Sequence, residues 1–298
     1  MPLICYVPKR FHPATLKTIE QANSIIAEYW KKGFDLTLRQ LYYQFVSRDL
    51  IRNTQEEYKK LGNIINDARL AGLIDWNAIT DRTRNLASLP HWDSPESIIQ
   101  ACAQQFRIDK WAEQEYYVEC FVEKEALAGV VEHACNPLDV PFFSCRGYTS
   151  QSEMWVAGQR LEGKIDEGKT PIIIHLGDHD PSGIDMTRDI IDRLSLFMGG
   201  VEVKRIALNI DQVYKYRPPP NPAKMTDTRF ASYAERFGES CWELDALDPS
   251  LLSQLITDTI LEYRDEDIWD KSVTVENEHK ENISKVASNW KKVVQSLK

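Results

Sequence analysis

The chain has 298 residues, of which 43% are hydrophobic and 27% are charged, and its net charge is −9. This length suffices for one large domain or two ordinary ones, each with its own core. No apolar run reaches the roughly 20 residues of a membrane helix, and the first residues lack a secretion signal, so we expect no membrane contact. Six scattered cysteines without a Cys-x-x-Cys pair argue against zinc and disulfide frameworks and favour a reducing cytoplasm.

Charge is distributed unevenly along the chain. Residues 1–110 carry 15 Lys and Arg against 12 Asp and Glu, whereas residues 111–298 carry 21 against 33. A mildly basic front half and an acidic back half indicate two modules with different tasks. The pattern breaks at the proline-bounded residues 90–95, and we predict domains over residues 1–109 and 110–298.

Three helices are predicted in the front half. The first covers residues 14–30, with one apolar stripe formed by Ile19, Ala22, Ile25, Ile26 and Tyr29. The second begins at Thr37, where a Thr-x-x-Gln capping box precedes an apolar run. Its buried face contains Leu38, Leu41, Tyr42, Phe45 and Val46. Arg39, Tyr43 and Ser47 fall outside that face, so we expect Tyr43 on a polar flank, one turn after Arg39.

The third helix and the segment that follows it indicate a winged helix. A Thr-x-x-Glu cap at residues 54–57 starts the helix, and residues 76–84 alternate as in a small basic hairpin. Three short helices and such a hairpin describe a winged helix, a variant of the helix-turn-helix. The expected contacts with double-stranded DNA are Lys59, Lys60, Arg69, Arg82 and Arg84. A structural or protein-binding winged helix is the alternative.

The back half alternates strands with helices. Strands are predicted over residues 116–122, 139–145, 172–176 and 202–210, and the chain after the proline-rich residues 218–222 is mostly helical. This order is typical of a mostly parallel, Rossmann-like α/β domain, here with a helical C-terminal extension. The predicted fold class is therefore α/β plus α, with the winged helix in front.

Acidic residues follow two of these strands. Glu123 comes directly after the first strand, and Asp178 and Asp180 follow the apolar run at residues 172–176. Open α/β sheets place their ligands at the carboxyl ends of strands, so the three carboxylates are candidates for one site. Purely structural roles stay open for both residues. Asp180 could be the N-cap of a helix that begins at Pro181, and Glu123 could be a carboxylate in the first turn of the helix after its strand, where the helix dipole favours a negative charge.

A phosphate-binding pattern elsewhere is rejected by its context. Residues 163–170 match G-x-x-x-x-G-K-T, a loop that must leave a strand and open a helix so that backbone N–H groups face the phosphate. Here a predicted helix precedes the pattern and a strand follows it. We therefore interpret these residues as a helix-to-strand turn and do not expect ATP binding.

Two motifs together resemble a known family. Val122-Glu123-Lys124-Glu125-Ala126 and Gly177-Asp178-His179-Asp180-Pro181-Ser182-Gly183 resemble the Toprim domain of topoisomerases, primases and related nucleases. The nearest form is that of the topoisomerase VI A subunit and the meiotic double-strand-break transesterase. Leu38-Arg39-Gln40-Leu41-Tyr42-Tyr43 looks like the Arg-x-x-Tyr-Tyr element of those proteins. The resemblance covers roughly residues 30–210 and suggests a short, stand-alone relative like the Mini-A proteins of mobile elements.

The resemblance implies a chemistry and an assembly. Glu123, Asp178 and Asp180 would bind Mg²⁺, with Mn²⁺ as an alternative, and hard oxygen donors suit such an ion. Tyr43 would be the nucleophile that forms a 5′-phosphotyrosyl bond with DNA, while Arg39 and Glu123 would assist catalysis. The family also implies a homodimer in which Tyr43 reaches the partner's metal site, and any ATPase partner would be a separate chain. We expect a cytoplasmic protein, either associated with the nucleoid or encoded by a mobile element.

Two other functions remain open from the sequence. A metal-dependent nuclease could hydrolyse DNA with activated water, in which case Tyr43 is a surface tyrosine. A non-catalytic DNA-binding regulator could retain a relic of the fold, although its intact acidic residues argue against this. Asp185 could extend the acidic cluster, and His179 points away from it if its two neighbours point inward.

Overall fold

The computed structural model describes residues 3–79 and 89–297, and over these residues four helices come first, strands and helices alternate in the middle, and three helices come last. The helices are α1 Pro13–Lys31, α2 Leu38–Ser47, α3 Gln55–Leu70, α4 Pro95–Gln105, α5 Ala128–Cys135, α6 Gln151–Asp166, α7 Pro181–Leu194, α8 Ile210–Tyr216, α9 Phe230–Phe237, α10 Pro249–Leu261, α11 Glu266–Ser288 and α12 Trp290–Ser296. The strands are β1 Tyr116–Val122, β2 Phe142–Ser144, β3 Thr170–Leu176, β4 Glu202–Ala207, β5 Asn221–Pro222 and β6 Ser240–Cys241.

A four-stranded parallel sheet organises the back half. Its strand order is β2-β1-β3-β4, so the first and third strands in sequence lie side by side at its centre. Both central strands are rich in β-branched and aromatic residues and are buried along most of their length, as expected for a parallel sheet covered on both faces. The α/β, Rossmann-like prediction is confirmed, and Val122 pairs with Leu176, which brings the two strand ends together.

The three predicted front helices are present. The buried residues of α1 are the five predicted ones, and Thr37 and Gln40 form the predicted capping box of α2. Thr54 caps α3 by accepting a hydrogen bond from the backbone N–H of Glu57. Local capping chemistry therefore fixes where these helices start.

The winged helix itself is not confirmed. The predicted hairpin covered residues 76–84, but Trp76–Ala78 form a 3-10 turn, and Ile79 makes a parallel bridge to Leu36. The turn is capped by Asp75, whose side chain accepts from the backbone N–H of Asn77. The hairpin prediction is wrong for residues 76–78, because the Asp75 cap favours a helical turn there. The rest of the predicted wing, with Arg82 and Arg84, lies outside the described residues.

Two strands are shorter than predicted, and in both cases a local turn intervenes. The strand expected over residues 139–145 is confined to β2, because a 3-10 turn at Asn136–Leu138 ends with Asp139 in the left-handed region. The strand expected over residues 202–210 ends at Ala207, because Asn209 caps α8. The turn between α6 and β3 has the predicted helix-to-strand order, which does not fit a phosphate loop.

One apolar core joins the front and back halves. It includes Tyr29 and Leu41 from the front helices, Val118 from β1, and Leu244 and Ile256 from the C-terminal third. The Tyr29 hydroxyl also hydrogen-bonds to the Asp248 carboxylate, and α2 packs on a 3-10 turn at Leu244–Ala246. The front helices therefore rest directly on the C-terminal segment. The boundary near Asp109 stays a prediction.

Among the described residues, no helix has both the length and the apolar composition that crossing a membrane requires.

A buried ion pair fastens the long helix α11. The Glu276 carboxylate is 6% exposed and accepts hydrogen bonds from Lys110 Nζ at 2.6 Å, Lys280 Nζ at 2.5 Å and the backbone N–H of Ile108 at 3.2 Å. Burial alone would raise the pKa of Glu276, but the two lysines and the N–H lower it to about 2. The ion pair connects α11 to the segment that leads into β1.

Glu276→Gln should lower the free energy of unfolding by about 3 kcal/mol at pH 7, because it removes the nearer counter-charge of the buried Lys110 ammonium and leaves only the Asp139 carboxylate, 3.8 Å away. The pKa of Glu276 is depressed in the folded state, so its stabilisation is present above the unfolded pKa of 4.5 and is lost as the pH falls towards 2. Urea denaturation at pH 7 and at pH 3 measures both effects.

The matched control is Glu281→Gln on the same helix. Its carboxylate is 73% exposed and lies 3.8 Å from Lys285 Nζ, so the change should stay within about 0.5 kcal/mol. Equal losses for the two variants would contradict the role assigned to Glu276.

Candidate functional site

The three predicted carboxylates meet at the carboxyl edge of the sheet. Glu123 follows β1 and Asp178 lies two residues after β3, and Glu123 Oε2 accepts a hydrogen bond of 2.8 Å from the backbone N–H of Asp178. Asp180 caps α7 as predicted: its Oδ1 accepts from the N–H of Gly183 at 2.6 Å and from Ser182 Oγ at 2.9 Å. The parallel pairing of β1 and β3 is what brings acids 55 residues apart into contact.

Two glycines make room for the Glu123 carboxylate. A Cβ at Gly177 would lie 2.9 Å from Glu123 Oε2, and a Cβ at Gly183 would lie 3.0 Å from the same oxygen. The Gly183 Cβ would also lie 2.3 Å from the carbonyl oxygen of Asp178. Any larger residue at either position would displace the loop or the carboxylate. These glycines therefore act as a close-packed cradle for Glu123.

Arg205 braces the loop that carries the acids. This β4 residue donates hydrogen bonds to the backbone oxygens of Gly177, Asp178, Gly183 and Leu208, at 2.7 to 3.2 Å. Burial lowers its pKa to about 10, although the nearby carboxylates oppose the shift. The guanidinium is therefore charged at neutral pH, and it both fixes the loop and offsets the acidic charge.

The acids are desolvated and repel one another. Burial raises the pKa of Asp178 to about 7, and Glu123 and Asp245 add to the shift while Lys124 opposes it. Burial also raises the pKa of Glu123, and the Asp180 carboxylate contributes in the same direction. Grouped carboxylates whose charged forms are disfavoured constitute a site that an added cation would stabilise.

The donor set fits a hard divalent cation. Glu123 Oε1 and Asp180 Oδ2 have no hydrogen-bond partner among the described residues, whereas both oxygens of Asp178 are engaged by the N–H of Leu244 and by Lys124. Within the described ranges, no three His, Cys, Asp or Glu side chains are grouped to hold a metal directly. Mg²⁺ often uses only one or two protein carboxylates and keeps several waters, so oxygens of Glu123 and Asp180 suit it.

Lys124 connects this acidic edge to a second carboxylate pair. Its Nζ lies 2.9 Å from Asp178 Oδ2, 2.7 Å from Glu243 Oε2 and 2.9 Å from Asp245 Oδ1. Burial alone would lower the pKa of Lys124, but the three carboxylates raise it. Burial alone would raise the pKa of Glu243, but Lys124 and Arg39 lower it to about 2.

Arg39 and Tyr43 join the same network from α2. Arg39 ion-pairs with Glu243, its Nε lies 2.9 Å from Asp245 Oδ2, and its Nη2 lies 3.5 Å from the Tyr43 hydroxyl. Contacts thus run within a single chain from Tyr43 through Arg39, Asp245 and Lys124 to Asp178. The structure brings the predicted tyrosine and arginine close to the predicted acids.

The expected exposure of Tyr43 is wrong. Tyr43 is 3% exposed, and burial raises the pKa of its hydroxyl, with further contributions from Asp245 and Glu243. The 3-10 turn at Leu244–Ala246 packs against α2, and the polar residues Gln40 and Gln44 of this helix are buried as well. Tyr42 is in the core as predicted, and its hydroxyl contacts Asn53 at 3.0 Å.

The predicted DNA contacts differ in their surroundings. Lys59 and Lys60 are exposed on α3, and Lys60 lies 3.7 Å from Glu57. Arg69 instead turns inward: it stacks over the Trp76 ring at 4.8 Å and donates to the Trp76 carbonyl oxygen. Its side chain stabilises the turn after α3 rather than extending into solvent.

Asp185 and His179 lie at the margin of the site. Asp185 accepts hydrogen bonds from Tyr148 at 2.7 Å and Arg188 at 2.8 Å, which lower its pKa to about 2. His179 is buried with Nδ1 2.7 Å from the Tyr233 hydroxyl. The ring of His179 thus packs on α9 while its neighbour Asp178 faces Lys124.

Sequence reasoning missed four residues of the network: Lys124, Arg205, Glu243 and Asp245. The sequence could have pointed to two of them, because Lys124 directly follows Glu123 and Arg205 is a charged residue within a predicted strand. Glu243 and Asp245 gave none, because they lie about 120 residues from Lys124 in a segment without a motif.

Comparison of the chain with family models, curated proteins and solved structures finds no match.

Gly183→Ala should destabilise the protein by about 1–3 kcal/mol, because its Cβ would overlap the Asp178 carbonyl oxygen. The matched control is Gly163→Ala in α6, where a Cβ meets nothing within 4 Å. That control should stabilise the helix by about 0.5–1 kcal/mol. Urea denaturation measures both changes, and a neutral Gly183→Ala would contradict the cradle.

Proposed function

We propose that this protein cleaves double-stranded DNA with Mg²⁺ (or Mn²⁺) held by Glu123, Asp178 and Asp180, and with Tyr43 as the nucleophile. The observation that carries the proposal is the placement of Glu123, Asp178 and Asp180 at neighbouring strand ends, where burial disfavours the charged forms of Glu123 and Asp178 and contacts within one chain lead on to Arg39 and Tyr43. The resemblance to Toprim and Arg-x-x-Tyr-Tyr proteins gives these same residues the same roles. In this proposal Lys59 and Lys60 contact the DNA backbone.

The proposed reaction is an exchange of phosphate esters. The Tyr43 oxygen forms a bond to phosphorus, the bond from phosphorus to the 3′ oxygen breaks, and the phenol proton ends on the released 3′ hydroxyl. A bound metal supplies neutralisation of the charge that develops on the phosphate oxygens. Arg39, whose Nη2 lies 3.5 Å from the Tyr43 hydroxyl, stabilises the phenolate or the phosphate.

A hydrolytic nuclease is the second candidate, and the burial of Tyr43 favours it. A tyrosine that is 3% exposed and whose hydroxyl has a raised pKa is a poor nucleophile in this conformation. Under this alternative, water attacks the phosphate beside the same three carboxylates. Both candidates therefore share the metal site and differ only in the attacking oxygen.

Calorimetric titration with Mg²⁺ and with Mn²⁺ should detect binding that the double variant Asp178→Asn, Asp180→Asn abolishes, because the substitutions remove two of three anionic donors. The control is Asp189→Asn with Asp192→Asn, which makes the same charge change on α7, where both carboxylates pair with arginines. Equal affinity in the two double variants would end the metal assignment.

Tyr43→Phe should eliminate any covalent protein–DNA adduct formed with Mg²⁺ and then trapped by denaturation. Tyr42→Phe is the matched control: it removes an equally buried hydroxyl whose partners are Asn53 and two backbone oxygens, and it should keep the adduct. Cleavage by Tyr43→Phe at the wild-type rate would instead establish the hydrolytic reaction.

Mixing two inactive variants decides whether a homodimer shares its sites. The contacts from Tyr43 to Asp178 lie within one chain, so a mixture of Tyr43→Phe and Asp178→Asn proteins should stay inactive. If the mixture recovers nicking of one strand, the site is composite and the tyrosine acts on the partner's metal, in a two-fold dimer that matches the duplex.

A further inference from the structure

Two cations from different parts of the chain share one carboxylate at the site. Glu243 Oε2 accepts from Arg39 of α2 and, at 2.7 Å, from Lys124 after β1. Asp245 lies behind them, with Oδ1 2.9 Å from Lys124 and Oδ2 2.9 Å from Arg39 Nε. Arg39 and Lys124 are therefore each paired with two carboxylates, that of Asp245 on the buried side and that of Glu243 on the side towards solvent.

Exposure of the side chains shows which carboxylate can be exchanged. The exposed fraction falls from 44% for Arg39 through 24% for Glu243 and 19% for Lys124 to 0% for Asp245. The opening of this site to solvent therefore lies at Arg39 and Glu243. The neighbouring Leu244 is anchored by its buried side chain and by its N–H, which donates to Asp178 Oδ1, so only the side chain of Glu243 would have to move for an exchange.

We propose that Arg39 and Lys124 form a binding site for a phosphodiester group of nucleic acid, and that the Glu243 carboxylate occupies this site until the phosphodiester displaces it. This inference deepens the proposed function and rests on it, because the displaced position lies between Tyr43 and Asp178. A guanidinium fork and an ammonium are the donors that phosphate oxygens prefer.

The charge balance selects the class of ligand. Arg39 and Lys124 face three carboxylates, those of Asp178, Glu243 and Asp245. A phosphodiester carries one negative charge, so replacing Glu243 by it leaves the local charge unchanged. A phosphomonoester or inorganic phosphate carries a larger negative charge, which the remaining carboxylates of Asp178 and Asp245 repel. The site therefore favours an internal phosphate of a strand over a terminal one.

The exchange also changes the charges that face Tyr43. The Glu243 and Asp245 carboxylates raise the pKa of Tyr43, whereas Arg39 and Lys124 lower it. A phosphodiester in place of Glu243 would contact Arg39 Nη2, the atom that lies 3.5 Å from the tyrosine hydroxyl. Displacement thus brings the reacting phosphate and the tyrosine to the same guanidinium.

Glu243→Gln tests the inference through DNA binding in EDTA, where no metal-dependent cleavage occurs. A fluorescent duplex oligonucleotide should bind about tenfold more tightly than to the wild type, because a competing internal ligand occupies its site less. The matched control, Glu239→Gln, makes the same charge change at an exposed residue of the same segment that has no ion pair among the residues the structure describes. It should change the affinity less than twofold.

Adding Arg39→Gln to Glu243→Gln should remove the gain and reduce the salt dependence of binding by about one phosphate contact, a slope change of about 0.9. A dinucleotide without terminal phosphates should compete with the duplex better than inorganic phosphate does. Thermal unfolding confirms that each variant is folded. If Glu243→Gln does not fold, Glu243→Asp, which withdraws the carboxylate by one methylene, should give a smaller gain in the same direction.

Unchanged or weaker DNA binding by the folded Glu243 variant would overturn the inference, as would a gain equal to that of Glu239→Gln. A gain in binding without any cleavage in Mg²⁺ would leave the phosphodiester site intact and refute the proposed function instead. Stronger competition by inorganic phosphate would refute the preference for a diester.

Discussion

The ammonium group of Lys124 is the interaction on which the arrangement of the site depends. It lies 2.9 Å from the carboxylate of Asp178 in the β3–α7 loop and 2.9 Å from that of Asp245 in the segment before α10. Asp245 also pairs with Arg39 of α2. A buried ammonium needs such partners, and removing one side of a buried ion pair is strongly unfavourable. The end of the parallel sheet and the C-terminal segment therefore meet at this one charge, and Asp245 connects it to the front helices.

The fold also brings like charges close together at the end of the sheet. Parallel pairing of β1 and β3 puts Glu123 beside the backbone of Asp178, and the glycines at 177 and 183 leave space for its carboxylate. Arg205 compensates part of the charge while it holds the loop through backbone oxygens. The result is a braced loop beside Glu123 and Asp178, two carboxylates whose charged forms are disfavoured by burial.

Sequence patterns predicted the parts of the structure that are set locally. The capping residues Thr37 and Asp180, the β1 strand and the meeting of Glu123 with the Asp178 loop follow from short-range rules and from strand order. The surroundings of Tyr43 could not be predicted, because the apolar stripe of α2 indicates only the face that packs on the other front helices, and Tyr43 lies outside that stripe. The second partner of α2 is a turn about 200 residues later in the chain, and no periodicity within α2 reports it. The inward turn of Arg69 onto Trp76 is hidden for the same reason, since an arginine late in a helix fits solvent equally well.

The dependence of the acidic loop on Arg205 has a consequence for the order of synthesis. The carbonyl oxygens of Gly177 and Asp178 obtain their hydrogen bonds from a residue that leaves the ribosome more than 25 residues after them. A nascent chain that ends before β4 therefore lacks the clamp that fixes the loop. Glu243 and Asp245 emerge later still, so Lys124 meets its last partners only when most of the chain has been made. Such a nascent chain therefore makes its acidic strand ends first, then Arg205 that braces them, and last the Glu243 carboxylate that pairs with Lys124 and Arg39.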